Sequence, residues 1–579
     1  MGFGSPPIHV LGSSPLAAQV AAGMRAGGRP VRLMTAETLD PGRARLLILA
    51  DPPDAPALLK DLCERARGRR RFWGGTARWI LMHQGDAPPA LPPLDLADRV
   101  RIETFAIERR AARALLARWP LHAGMDPLFG QPSHLLIAGS ASPAAAFLTQ
   151  ALRLMAYGER RPMVTLLAED PERLAARLAT DYPQAGQIAD LRLAALGTSP
   201  PLAGLPPVTL ALVCVADPGA DGLDLARALG RAIAGTQGVS PPILLETGLC
   251  EPRGEVGDWD GQIVPVSHVR LACRPEVLLD GVGDAVARGI HDHYRDTIAA
   301  QGRDPELEPA GRPWARLDES YRQANRYQAD HLWAKLAVTD CRAVAEEMVE
   351  SFAFTPLEVE RLAAIEHQRW AADRYLDGWI QAPTRDNRLK HHPQLIPYAD
   401  LSEPMKDLDR FAVRGVPSLL ARSGLGLVRR LIVGLSETDP DQFQGAAAAS
   451  RMRSILERLV SRYPDRALIL ATSLRHPEAR RFARLSLDVA DAGLFWLLPG
   501  RLDALLESLP DRAARSDLLA LGARAERRVC LGGEAELERW IADRAEIALV
   551  LGEPRPAGRP AKQVVLSSAG QPPEWSFEY

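Results

Sequence analysis

A chain of 579 residues has room for about three or four domains, each with a core of its own. Its 70 basic side chains offset 72 acidic ones, which excludes a global attraction to nucleic acid or to a membrane surface. The six cysteines include no C-x-x-C, which excludes a zinc ribbon, and no close pair that would suggest a disulfide framework.

The longest apolar run, 208–216, is about half a membrane span, so no inserted segment is expected. The amino end lacks a basic stretch followed by a signal-type apolar core, and the expected location is the cytoplasm. The heavy preference for arginine over lysine fits the compositional bias of a bacterial genome. It predicts that many arginines are solvated surface.

Over 1–125, short apolar runs alternate with helical stretches: IHVLGSS, RPVRLMT, RLLILAD, RWILMHQ and RIETFAI. That rhythm predicts parallel strands with crossover helices in a degenerate Rossmann-like domain. Arg65, Arg67, Arg69, Arg70 and Arg71 read as a solvated helix end.

A second unit, 126–303, opens with HLLIAGSASPAAAFLTQAL, a buried strand entering a small-residue turn and a helix. A Rossmann fold places a pyrophosphate at such a helix start. The next strand, PMVTLLAED, ends in Glu169 and Asp170, where an acid would hold a ribose; further strands are expected at ADLRLAAL, VTLALVCVA, PPILLE and QIVPVS. This order resembles the NAD-binding domain of potassium-transport regulators. The resemblance implies NAD or another nucleotide as cofactor, bound at Gly139, Ser140 and Ala141 with Glu169 and Asp170. Of the G-x-G-x-x-G pattern only Gly139 is kept; Ala141 and Ala144 stand at the second and third positions.

A stretch at 304–313 containing Pro and Gly separates off and opens a third, mainly helical unit, 304–425. Its opening has an amphipathic period that turns Leu317, Tyr321, Ala324, Tyr327, His331, Leu332 and Leu336 inward. Pro356 to Leu376 carries no internal Pro or Gly and predicts a long helix stopped by Gly378. Glu366, Trp370 and Arg374, four apart, would share one stripe of it.

With Trp379, Pro393, Leu395, Pro397, Tyr398, Leu401, Lys406, Asp409 and Arg410, these positions resemble the ryanodine receptor (RyR) repeat domain. The lead-in Trp314, Leu317, Arg322, Asn325, Arg326, Gln328 and Ala329 is similar to that of bacterial proteins joining a Rossmann unit to an RyR domain. A planar ligand would stack on indole while Arg374, Lys406 and Arg410 meet phosphate oxygens. The expected ligand residues are Glu366, Trp370, Arg374, Trp379, Tyr398, Lys406 and Arg410.

After a linker near 423–426, strand and helix alternation returns over 426–579: RRLIVGLSE, RALILATSL, AGLFWLLP, RRVCLGG and EIALVLGEP. The order resembles the SLOG superfamily of Rossmann-like nucleotide binders. It departs at Gly434-Leu435-Ser436, at Leu474, and at Gly558-Arg559-Pro560, where proline removes a backbone donor from an anion cradle.

No tyrosine is followed by lysine four residues on, and there is no G-x-S-x-G elbow, phosphate loop or H-E-x-x-H helix. His291 with His293, and His391 with His392, read as solvated or capping histidines. The fold class expected is α/β multidomain, with Rossmann-like three-layer domains flanking a mainly helical RyR-type domain. The function expected is sensing of a nucleotide or nucleotide-derived signal, with a homo-oligomer or an effector protein as partner. A nicotinamide-dependent oxidoreductase, a regulator of a membrane ion transporter, or a docking protein with vestigial sites are the alternatives.

Overall fold

The computed structural model describes residues 6–67, 76–85, 89, 91, 99–197, 200–215, 220–249, 262–279, 284–437 and 446–551, with the backbone of Lys562–Leu566 and Glu574–Ser576. The expected α/β multidomain fold is present. Apolar runs bounded by turns become the central strands of parallel sheets, because such strands are covered by helices on both faces.

The first sheet comprises β1 (Ile8–Leu11), β2 (Val31–Met34), β3 (Leu46–Ala50), β4 (Ala77–His83) and β5 (Val100–Ala106), in the order β2-β1-β3-β4-β5. The second comprises β6 (His134–Ala138), β7 (Met163–Ala168), β8 (Asp190–Ala195), β9 (Leu210–Val213), β10 (Ile243–Glu246) and β11 (Ile263–Val266), in the order β11-β10-β9-β6-β7-β8. Counted from its own first strand, this second order is that of a doubly wound dinucleotide-binding sheet, with the switch point between β6 and β9.

Three short strands follow in the helical module: β12 (Cys341–Ala345), β13 (Ile380–Gln381) and β14 (His391–His392). The last sheet is built on β15 (Leu425–Glu437), β16 (Arg466–Thr472), β17 (Gly493–Pro499), β18 (Arg527–Leu531), β19 (Ile547–Leu551), β20 (Lys562–Leu566) and β21 (Glu574–Ser576). Its order is β18-β17-β16-β15-β19-β20-β21. Of the linker expected at 423–426, Ser423 and Gly424 form a turn and Leu425 and Gly426 already belong to this sheet. Leu425 to Arg429 of β15 pair antiparallel with β12, so one strand joins the helical module to the last sheet.

The cores also exchange segments. Ala272, Cys273, Val277 and Leu278, which follow β11, pack in the core of the first sheet. Helix Asp284–Ala300 packs Val286, Ala287 and Ile290 with Ala329, Leu332 and Leu336 of the helical module. Along the outer edge of β18, Arg528 and Cys530 donate backbone hydrogen bonds to Ala123 and Gly124, which closes an edge that would otherwise stay open.

Among the described residues the arginines are partly or fully exposed, as the composition predicts, with five exceptions. Arg113, Arg326, Arg369, Arg480 and Arg527 are buried rather than solvated. Each is bound to carboxylates: Arg113 to Asp330, Arg326 to Asp284, Arg369 to Glu366, Arg480 to Asp517 and Arg527 to Asp126. Leu317, Tyr327, His331, Leu332 and Leu336 face inward as expected, but two positions of helix Glu319–Asp330 do not. Tyr321 and Ala324 are exposed, while Gln323 and Arg326 are buried, because the Arg326 fork must reach Asp284. Of the 65–71 arginines, Arg65 pairs with Asp61, and Arg67, Arg69, Arg70 and Arg71 carry side chains outside the described residues.

Candidate ligand site

Helix Pro356–Leu376 has the expected bounds, and local chemistry sets both ends. Thr355 accepts a hydrogen bond from Glu358 N while Glu358 accepts one from Thr355 N, a reciprocal capping box with Pro356 in the first turn. At the other end Gly378 takes φ +79°, and the Gly378 and Trp379 amides donate to Tyr375 O and Arg374 O. The chain then loops through β13 and β14, whose pairing of Gln381 with His392 brings the His392 ring back to the helix.

An aromatic niche results. His392 lies edge-on to Trp370 at 4.9 Å and to Trp379 at 5.9 Å. The Arg374 guanidinium stands over both indoles, 5.9 Å from the Trp370 ring and 5.3 Å from Trp379. Trp370 and Arg374 are half-buried, and among the described residues no carboxylate pairs with Arg374. His367 stacks on the other side of Trp370 at 5.4 Å and leads to Tyr398 at 6.1 Å, over which the Lys406 ammonium sits at 5.6 Å. The His367 Nε2–H donates to Ile396 O at 2.9 Å, and its Nδ1 lies 3.3 Å from Asp409. Burial, with Arg385 and Arg374 nearby, lowers the His392 pKa and favours the neutral ring.

Two expected members do not join. Glu366 is 4% exposed and held by Lys335 at 2.7 Å and by Arg369 at 2.7 Å. Burial alone would raise its pKa, but Arg369 and Lys335 hold it well below the usual carboxylate range. The reason is helical phase: four residues advance roughly 400°, so each step of four drifts about 40°, and Glu366 and Arg374 diverge by about 80°. Arg410 is engaged by Glu360 at 2.7 Å, Glu403 at 2.8 Å and Asp407 at 3.0 Å, so its donors position Tyr398 and Glu360 rather than face solvent. Tyr398 O–H donates to Glu360, and burial together with that hydrogen bond pushes its pKa up to about 12.

His392, His367 and Glu360 are the members that sequence reasoning missed. A histidine beside a loop proline carries no helical period, so only the β13–β14 pairing reveals it. His391 is half-buried, His291 Nε2 donates to Arg312 O, and His293 stacks on Phe411.

The turn after β6 is built differently. Gly139 takes φ +100°, and a Cβ there would lie 2.1 Å from Cys214 O. Ser140 is exposed and Ala141 half-buried; Ala141 N donates to Cys214 O at 3.4 Å, and helix Ser142–Leu154 starts without a side-chain cap. Glu108 of the first domain reaches this helix start, its carboxylate accepting from Gly85 N at 3.1 Å and from Ser142 Oγ at 3.5 Å. Asp170, expected at a ribose, caps helix Pro171–Asp181 by accepting from Arg173 N at 2.9 Å; Glu169 is exposed. In the last domain Gly434 lies inside β15, and Leu474 takes φ +59°. Gly558, Arg559 and Pro560 lie outside the described residues.

Among the described residues no helix is long and apolar enough to cross a membrane, and no group of three metal-ligating side chains gathers. A solved D-isomer specific 2-hydroxyacid dehydrogenase family protein from Klebsiella pneumoniae 342 is similar at 14% identity and a TM-score of 0.21, over 51% of this chain and 95% of that chain, a likeness too weak to argue from. The stretch that builds the aromatic niche, residues 356–428, matches the family model for the RyR domain.

Proposed function

We propose that this is a regulatory binding protein whose RyR-type module takes a nucleotide or nucleotide-derived ligand between Trp370, Trp379, His392 and Tyr398. The observation that carries the reading is Arg374, a cation poised over two indole faces with no carboxylate partner among the described residues. A flat base stacks on an indole face at about 1 to 3 kcal/mol, and Arg374 with Lys406 supplies charge for phosphate oxygens. The flanking domains, the last of them read as SLOG-like, bias a response in an effector or a second copy of the chain, in the cytoplasm.

Thermal shift against adenine nucleotides, NAD, cyclic dinucleotides and short oligonucleotides tests it. A ligand at one hundred times its Kd adds about 2.7 kcal/mol of stability. The shift is expected to vanish in Trp370→Ala and Arg374→Ala while the unliganded proteins stay folded. No shift with any of these ligands, or a shift that survives both substitutions, overturns the reading.

A second reading, NAD at Gly139, draws support from the doubly wound strand order and from the glycine at the carboxyl end of β6. The Glu108 carboxylate at the helix start weighs against it, since it stands where a pyrophosphate would. NAD copurifying with the protein would favour this alternative.

A further inference from the structure

A second, separate site lies at the amino ends of β4 and β5, away from the carboxyl-end crevice where open sheets usually hold ligands. A cavity of about 180 Å³ opens there between the first sheet, helix Asp284–Ala300 and helix Glu319–Asp330. Six guanidinium groups, of Arg78, Arg101, Arg110, Arg288, Arg322 and Arg326, line it against the two carboxylates of Glu103 and Asp284.

The carboxylates are spent. Glu103 accepts from Arg78 at 2.9 Å, and both oxygens of Asp284 accept from Arg326 at 2.9 Å. What remains is an excess of donors. Arg110 Nη1 is buried with no hydrogen-bond partner, its Asp284 oxygen 3.8 Å away. Arg322 Nε is buried without a hydrogen bond, 3.4 Å from Glu319 Oε2, and Arg101 Nε lies 2.9 Å from Glu103 Oε1 but misaligned for one. Arg288 sits 5.8 Å over the Trp314 ring and has no carboxylate partner among the described residues. Buried charges are ordinarily paired and buried donors ordinarily satisfied, so a concentration of unmet cationic donors around one cavity calls for an anion.

We propose that this cavity binds a small phosphate-bearing anion, a diphosphate group fitting its size and charge, with Arg101, Arg110 and Arg322 as its donors. The volume falls below the roughly 300 to 1,000 Å³ of pockets for drug-sized ligands, which favours a phosphate or diphosphate group over a whole nucleotide. Guanidinium forks match phosphate oxygens in bidentate geometry. Burial, with Arg326 and Arg113 facing it, pushes the Arg110 pKa down to about 9, as expected where cations crowd without a counterion. The site joins β5 to both helices, so occupancy would fasten the first domain to the helical module.

Titration calorimetry of the full chain with inorganic pyrophosphate, and with orthophosphate for comparison, tests the proposal. Pyrophosphate is expected to bind more tightly than orthophosphate, and Arg101→Gln and Arg322→Gln, both at partly exposed positions, are each expected to weaken it about tenfold or more. Trp370→Ala is expected to leave pyrophosphate affinity unchanged, which separates this site from the aromatic niche. Arg110→Met is expected to keep or raise the melting temperature of the unliganded protein, because it removes an uncompensated charge. No pyrophosphate binding by the unaltered chain at millimolar concentration overturns the proposal, as does affinity retained in folded Arg101→Gln and Arg322→Gln proteins.

Discussion

The niche around Trp370 and the turn at Gly139 both bear the marks of a nucleotide site, yet they are built to opposite ends. In the niche, Trp370, Tyr398 and the Arg374 cation stay half-buried beside the buried Trp379 and His392, the latter returned to the helix by a loop. At the turn, the glycine is pressed against the backbone of Cys214, Asp170 is spent on a helix cap, and a carboxylate from another domain reaches the helix start. Chemistry left unspent marks a binding site; chemistry consumed by packing marks architecture. Substitutions therefore divide the two regions: in the niche they should cost binding, at the turn they should cost folding.

The largest effect is expected beneath the niche. Glu366→Ala strands Lys335 and Arg369 as buried cations, and a loss of about 3 to 5 kcal/mol should appear in urea unfolding. If Glu366 instead served a ligand, this substitution would spare stability and abolish binding. Gly139→Ala should cost about 3 kcal/mol or more, since the added Cβ meets Cys214 O and the backbone sits at φ +100°. A folded Gly139→Ala protein with a normal melting temperature would show the turn to be looser than its contacts imply.

Acid should loosen the molecule in a graded way. His122 and His331 are buried; burial lowers both pKa values, and the neighbouring cations Arg527 and Lys335 lower them further. In the unfolded chain they take up protons at about pH 6.5, while the folded rings refuse them. Their contribution to stability is thus complete above that pH and declines as pH falls below it. Melting temperatures that stay flat from pH 7 to 5 would contradict this.

Trp370→Ala should cost about 2 kcal/mol, half the penalty of emptying a fully buried indole site, while removing the ligand response. Asp170→Ala should cost about 1 kcal/mol, the worth of a helix cap, and leave nucleotide binding as it was. A loss of nucleotide binding there would return the ribose role to Asp170.

The sequence by itself determined the strands at the core of all three large sheets and the helix Pro356–Leu376 with its ends. Runs such as LLILA and HLLIA, and the Thr355 to Glu358 box, act through periodicity and neighbours close along the chain. It also placed Trp370, Arg374 and Trp379, which keep company because Gly378 turns the helix end back on itself. Tertiary structure alone decided the rest. Glu366 turned inward because the counterions Lys335 and Arg369 await it there. His392 entered the niche through a pairing of two-residue strands, and β12 was recruited by an edge eighty-odd positions away in the chain. Buried charge is the common reason: an arginine looks the same in a sequence whether it meets water or a carboxylate, and the packing of helices from different domains chooses between them.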